Sequence, residues 1–214
     1  MKVVAFMPIK LKNERCPGKN TRLLGDKPLL QYELGSLLKT NLCDEIFVYC
    51  SSEDVIKYLP VGVQFSKRST TLDQPTTNFT QFTECFIAEH DADIYVLAHA
   101  TAPFVSVATM KECINAVISG EYDSAFCAQR IQTFLWKDGT PLNFDASNLP
   151  RTQDLDPIYQ ETSGVYVFRK DVFTRLHRRI GETPYIKELS LKEAIDIDEE
   201  KDFHLAQAML NIEI

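Results

Sequence analysis

Seven apolar, largely β-branched runs are spaced along the chain with helical stretches between most of them, and this alternation restricts the possible folds more than any other feature. The runs are KVVAFMPI, DEIFVYCSS, VQFSKR, DIYVLAHA, DSAFCAQRI, SGVYVFRK and IKELSLKEAIDID. Near-continuous hydrophobicity, as in VVAFM and IYVLA, is the pattern of strands buried on both faces. PLLQYELGSLLKT, NFTQFTECFIAEH, SVATMKECINAVISG and EEKDFHLAQAML have the helical pattern. In the first of these Leu30, Leu34, Leu37 and Leu38 share one face, and Pro28 suits a first helical turn. Strand and helix in alternation predict an α/β fold, a Rossmann-like, mostly parallel sheet flanked by helices, with residues 1–214 as one domain.

The stretch from Gln132 to Thr162 breaks this rhythm, holding three of the ten prolines and no clear period. An irregular insert of that length binds something or packs on a partner, so it predicts a projecting subdomain or the arm of a homodimer. No apolar run approaches the roughly 18 residues of a membrane span, and MKVVAFMPIK is too short for a secretory leader. The six cysteines form no CxxC pair and most lie in apolar runs, as expected of reduced thiols in a cytoplasmic protein.

The net charge of −7 argues against nucleic acid or an anionic membrane as main partner, yet the charge is unevenly placed. Met1 to Lys27 carries seven Lys or Arg against two acids, and the remainder carries sixteen against twenty-eight. Open α/β sheets bind ligands beyond the carboxyl ends of their strands, which is where KLKNERCPGKN follows the first run. A basic loop there can wrap a polyphosphate, and Pro17-Gly18 would fix its turn. It matches neither GxxxxGK[ST] nor GxGxxG, and a solvated basic loop would have the same composition.

Asp196 and Asp198 stand two apart in EAIDIDEEKDF, so on an extended strand both carboxylates face one side and can converge on a hard cation. Asp198 would also serve as N-cap of the last helix. In AHATAPFVS, His99 and Thr101 follow a buried strand and are candidate ligand contacts, with a core histidine as the plain alternative. In KRSTTLDQPTTN, Arg68 can meet phosphate or base while Thr77 and Asn78 offer polar groups, or simply cap a helix. Arg151 in the insert is a further candidate.

Taken in order, these pieces resemble the CMP-acylneuraminate synthetases, the cytidylyltransferases that activate sialic acids and related keto sugar acids. MPIKLKNERCPGKNTRLLGDKPLL is similar to that family's nucleotide loop, ending in PGKN before a helix that opens GKPL. ATAPF resembles its PTSPL turn, PRTQ and ETSGVYVF its PRQ and NGAIYI segments, and EAIDIDEEKDF its metal-binding stretch. The matches span nearly the whole chain.

The resemblance implies transfer of CMP from CTP to the anomeric hydroxyl of a 2-keto sugar acid, with release of pyrophosphate and dependence on Mg2+. It places Lys10, Asn20, Arg68 and Thr77 or Asn78 on the nucleotide, with Lys10, Arg15 and Lys19 neutralising phosphate charge. Asp196 and Asp198 would hold the metal, with Asp198 a possible base, and Arg151 would reach substrate from the arm. Glu14 stands where sialate enzymes have a lysine, although Arg15 matches the SRLPGK of the relatives that activate 3-deoxy-manno-octulosonate. His99 replaces a glutamine and Ser163 an asparagine beside the sugar. Another acceptor, or a non-catalytic nucleotide-binding homologue, therefore stays open alongside the sialic-acid reading.

Overall fold

Val3–Ile9 forms β1, and in the computed structural model, which describes residues 1–212, this strand lies at the heart of a seven-stranded sheet. The other strands are β2 (Glu45–Cys50), β3 (Gln64–Lys67), β4 (Ile94–Ala98), β5 (Ser124–Ile131), β6 (Ile158–Arg169) and β7 (Pro184–Glu188). Their spatial order is β7-β5-β6-β4-β1-β2-β3. β1 pairs in parallel with β2 and β4, as do β2 with β3 and β5 with β7. β6 runs antiparallel to both β4 and β5. No α-helix links β5 to β6, only the short 3-10 turn Thr152–Asp154, so the chain turns back through the insert instead of crossing over.

Period-two alternation sends β1 side chains to both faces of the sheet. Ala5, Met7 and Ile9 pack with Leu30, Leu34 and Leu37 of α1 (Leu30–Thr40) and with Met110 and Ile114 of α3 (Val107–Ile118). Val4 and Phe6 enter an aromatic layer with Phe47, Tyr49, Tyr95, Phe168 and Phe86, the last from α2 (Phe79–Glu89). Phe6 and Phe86 stack at 4.3 Å between centroids. α4 (Lys170–Leu176) follows β6, and α5 (Glu200–Met209) closes the chain.

The structure corrects the sequence reading at four places, the first being the last helix, whose N-cap is Glu199, paired with Asp202, rather than Asp198. α1 begins at Leu30 rather than at Pro28, because Leu23–Leu24 and Lys27–Pro28 form a two-stranded ribbon that the Leu29 N–H extends by donating to the Arg22 carbonyl. The run IKELSLKEAIDID is not one strand. β7 ends at Glu188, and Glu193 then pins a turn by accepting from Ser106 N–H at 3.1 Å and Thr109 Oγ1 at 2.7 Å. Asp196 and Asp198 lie beyond that turn in extended, irregular chain. The insert ends where β6 begins at Ile158, so Thr162, the expected boundary, already belongs to the sheet.

Candidate functional site

Lys10 continues β1 past the carboxyl edge of the sheet, and residues 10–20 loop back over it. Asn20 closes the loop by donating from Nδ2 to the Lys10 carbonyl at 2.9 Å. Gly18 sits at φ 65°, the left-handed conformation that glycine adopts freely, and opens the 3-10 turn Lys19–Thr21. That turn buries Lys19 and aims its ammonium toward the other end of the chain.

Lys19 Nζ donates to the Ile197 carbonyl at 2.6 Å and to Asp198 Oδ1 at 3.2 Å. Arg15 reaches the same Asp198 oxygen at 3.0 Å. A separate apolar cluster of Cys16, Leu24, Leu29, Ile197, Phe203 and Ala206 supports this junction. Beside it, Arg22 lies 4.1 Å over the Phe203 ring and bonds both Glu200 oxygens, at 2.6 and 2.8 Å. Ile197 N–H donates to the Thr101 carbonyl at 2.8 Å, which ties the acidic segment to the loop after β4.

Asp196 Oδ1 is buried with no hydrogen-bond partner, an unsatisfied carboxylate oxygen aimed at nothing the chain supplies. No group of three His, Cys, Asp or Glu side chains able to hold a metal occurs among the described residues. Two carboxylates suit Mg2+, which keeps several waters and takes substrate phosphate oxygens, so Asp196 and Asp198 fit that ion.

Two adjoining clefts share Lys10, Lys12, Asn13, Glu14 and Pro75. The smaller, about 270 Å³, adds Arg15, Cys16, Lys19 and Asp198. Its four basic groups exceed its two acids. The larger, about 920 Å³, adds Ser51, Glu53, Asp54, Lys67 and Asp73 among others, and its acids exceed its bases. Charge therefore favours polyphosphate in the smaller cleft and an uncharged moiety in the larger. Glu14 lines both.

His99 and Ser163 meet beyond the end of β4. Between Glu161 and Tyr166 the register of β6 on β5 shifts, and the bulge re-aims residues 162–164. A Cβ at Gly164 would come to 3.0 Å from Cys127 Cβ, so any larger residue there would crowd the Cys127 side chain. Ser163 Oγ and His99 Nδ1 are both buried without partners. Burial foremost, with the charge of Arg179, lowers the His99 pKa to about 4 against the pull of the Ser163 and Gly164 carbonyls. The imidazole is neutral at physiological pH.

The remaining candidates are dispersed. Arg68 is buried and donates to Asp73 at 2.6 Å, so it stands behind a wall residue of the larger cleft. Asn78 caps α2 through a reciprocal pair with Gln81, and the Thr77 hydroxyl faces the Thr71 carbonyl at 3.5 Å. Arg151 lies on the arm, its side chain 72% exposed and bonded to Asp154 at 2.7 and 3.0 Å. The chain itself does not bring Arg151 to the clefts.

Sequence reasoning missed three groups. Asp73 and Ser51, bonded to each other, shape the larger cleft. Glu33 is wholly buried on the apolar face of α1 with neither oxygen bonded; desolvation raises its pKa well above the usual carboxylate range, against the His99 backbone amide nearby. An acid in phase with Leu30, Leu34 and Leu37 was the visible signal. Arg179 stacks 3.7 Å over the Tyr166 ring and donates to Glu161 at 2.8 Å.

A family model described as Cytidylyltransferase matches residues 4–211. The chain is 24% identical over 201 residues to N-acylneuraminate cytidylyltransferase A of Danio rerio, covering 89% of this chain and 46% of that protein. It is 24% identical over 234 residues to CMP-N,N'-diacetyllegionaminic acid synthase of Legionella pneumophila, covering 99% of this chain and 97% of that one. The chain spans about half the length of the acylneuraminate relatives it matches. A solved CMP:2-keto-3-deoxy-manno-octonic acid synthetase complexed with CTP superposes with TM-score 0.74 at 14% identity, covering 98% of each chain, and so shares the fold.

Proposed function

The chain belongs to the cytidylyltransferase family, and from that premise we propose that it transfers CMP from CTP to the anomeric hydroxyl of a sialic-acid-like 2-keto sugar acid. The observation that supports this most is the junction at Asp198, where Lys19 and Arg15 from one end of the chain hold an acid from the other at 3.2 and 3.0 Å. A triphosphate needs cations for its oxygens and carboxylates for its counter-ion in one place, and this junction holds both.

In this reading the triphosphate occupies the smaller cleft on Lys10, Arg15 and Lys19, and the nucleoside the larger cleft, with Asp73 held for it by Arg68. The acceptor oxygen attacks the α-phosphorus, the bond to the bridging β-phosphate oxygen breaks, and pyrophosphate leaves with that bonding pair. The hydroxyl proton passes to Asp198 Oδ2, the oxygen that Arg15 and Lys19 leave free. Mg2+ on Asp196 and Asp198 would draw charge from the phosphate oxygens. Phosphoryl-type transfer asks chiefly for positioning and charge neutralisation, which these side chains supply.

The reading carries a homodimer joined through the arm, whose Trp136, Leu142 and Leu149 are exposed. It also carries a cytoplasmic setting, in keeping with unpaired cysteines and with no helix long and apolar enough to cross a membrane among the described residues.

The test is a thermal-shift comparison of CTP, UTP, ATP and GTP with Mg2+, followed by pyrophosphate release with N-acetylneuraminate, 3-deoxy-manno-octulosonate and N,N'-diacetyllegionaminate. Binding of CTP should raise the melting temperature most. A larger shift with ATP or GTP would overturn the cytidylyl assignment.

A further inference from the structure

We propose that the cleft lined by Phe79, Thr80, Glu161, Arg178 and Arg179 takes the carboxylate end of the acceptor, with Arg179 as the group that distinguishes an acid from a neutral sugar. This rests on the transfer reaction proposed above and adds to it a recognition residue contributed by the chain's own core domain.

The cleft opens at the carboxyl edge of the sheet, past the β6 bulge that presents Ser163. A continuous set of contacts connects it to His99. The Arg179 guanidinium lies 3.7 Å over the Tyr166 ring, and that ring meets His99 edge to face at 5.7 Å. Glu161 orients both partners, accepting from Arg179 at 2.8 Å and from the Tyr166 hydroxyl at 2.6 Å. A guanidinium has five N–H donors, and among the described residues Arg179 uses only the one on Glu161. Stacking and this single bond hold it flat and leave the rest of its fork for a planar carboxylate.

One further feature favours an acid. Arg178 donates only to the Gly181 carbonyl and has no carboxylate partner among the described residues, so the cleft, which is also lined by His177 with its Glu84 contact at 3.1 Å, sets two guanidinium charges against Glu161. Arg151, the cation expected from the sequence, is held by Asp154 on the arm.

The experiment compares the best acceptor among the three acids named above with its methyl ester, in wild type, Arg179→Met and Arg179→Lys. Wild type should show a KM at least tenfold lower for the acid. Arg179→Met should raise the acid KM about tenfold or more, bring acid and ester within twofold, and leave kcat and the KM for CTP within twofold. Arg179→Lys, which keeps the charge without the fork, should retain a weaker preference for the acid, and it carries the test if the methionine variant fails to fold. An unchanged acid KM in either variant, or equal losses for acid and ester as a merely structural role would give, overturns the assignment of Arg179. No pyrophosphate release with any acid in wild type overturns the transfer reaction and this proposal together.

Discussion

Arg22 and Phe203 stack at 4.1 Å, and this pair closes a small apolar cluster built from both ends of the chain. On its inner side the same cluster fixes Lys19 against the Ile197 carbonyl. Substituting a residue here therefore tests stability and chemistry at once, and the two are separable.

Asp196→Ala should lower turnover at least about 100-fold, corresponding to about 3 kcal/mol or more of transition-state stabilisation. The fold should be unharmed or slightly more stable, since Asp196 Oδ1 is buried and unpartnered. Pyrophosphate release and a thermal melt on one preparation check both, and wild-type turnover in Mg2+ would remove Asp196 from the metal site.

Lys19→Ala should act on both properties. It takes charge from the triphosphate, costing about 2–4 kcal/mol in kcat/KM for CTP. It also strands the Ile197 carbonyl that Lys19 holds at 2.6 Å, costing about 1–3 kcal/mol of stability. Steady-state kinetics and a urea midpoint measure the two separately, and wild-type kinetics at limiting CTP would exclude the role.

Glu33→Gln should stabilise the protein increasingly as pH rises. Burial raises the Glu33 pKa in the folded chain, so above about pH 4.5 the unfolded chain sheds a proton that the folded chain retains. Stability then falls as pH rises through that window. Glutamine keeps the shape without the proton, so the urea midpoint of the variant should gain on wild type between pH 5 and pH 8. A gap that does not change with pH would mean that Glu33 is ionised in the fold.

His99 should act in the opposite direction. Its pKa falls from 6.5 to about 4 on folding, so between those values the unfolded chain holds the extra proton and stability drops as pH falls. The full window amounts to about 3 kcal/mol. His99→Gln should flatten the limb of the stability profile between pH 6.5 and 4, measured as the difference in urea midpoint from wild type.

The alternation of buried runs made the sheet legible because strands covered on both faces are apolar almost throughout, as in Val3–Ile9. The reversal of β6 was not legible, since a strand's composition does not encode its direction. The PGKN loop was legible from its place after Val3–Ile9, whereas Asp198 reaches it by way of the turn that Glu193 pins beyond β7, which residue spacing did not report. The N-cap role of Asn78 was open from the start and only the Gln81 pair decided it. Arg179 was invisible because its placement depends on Tyr166 and Glu161, which flank the bulge in β6, and residue spacing does not report a bulge.

The clamp also has a consequence for biosynthesis. Lys19 is made early and its counterparts Ile197 and Asp198 late, so a nascent chain that ends before Ile197 already has all seven strands but lacks the carbonyl and the carboxylate that hold the Lys19 ammonium. On the proposed reading the nucleotide is held only once those two residues are made, and a fragment released before them binds none.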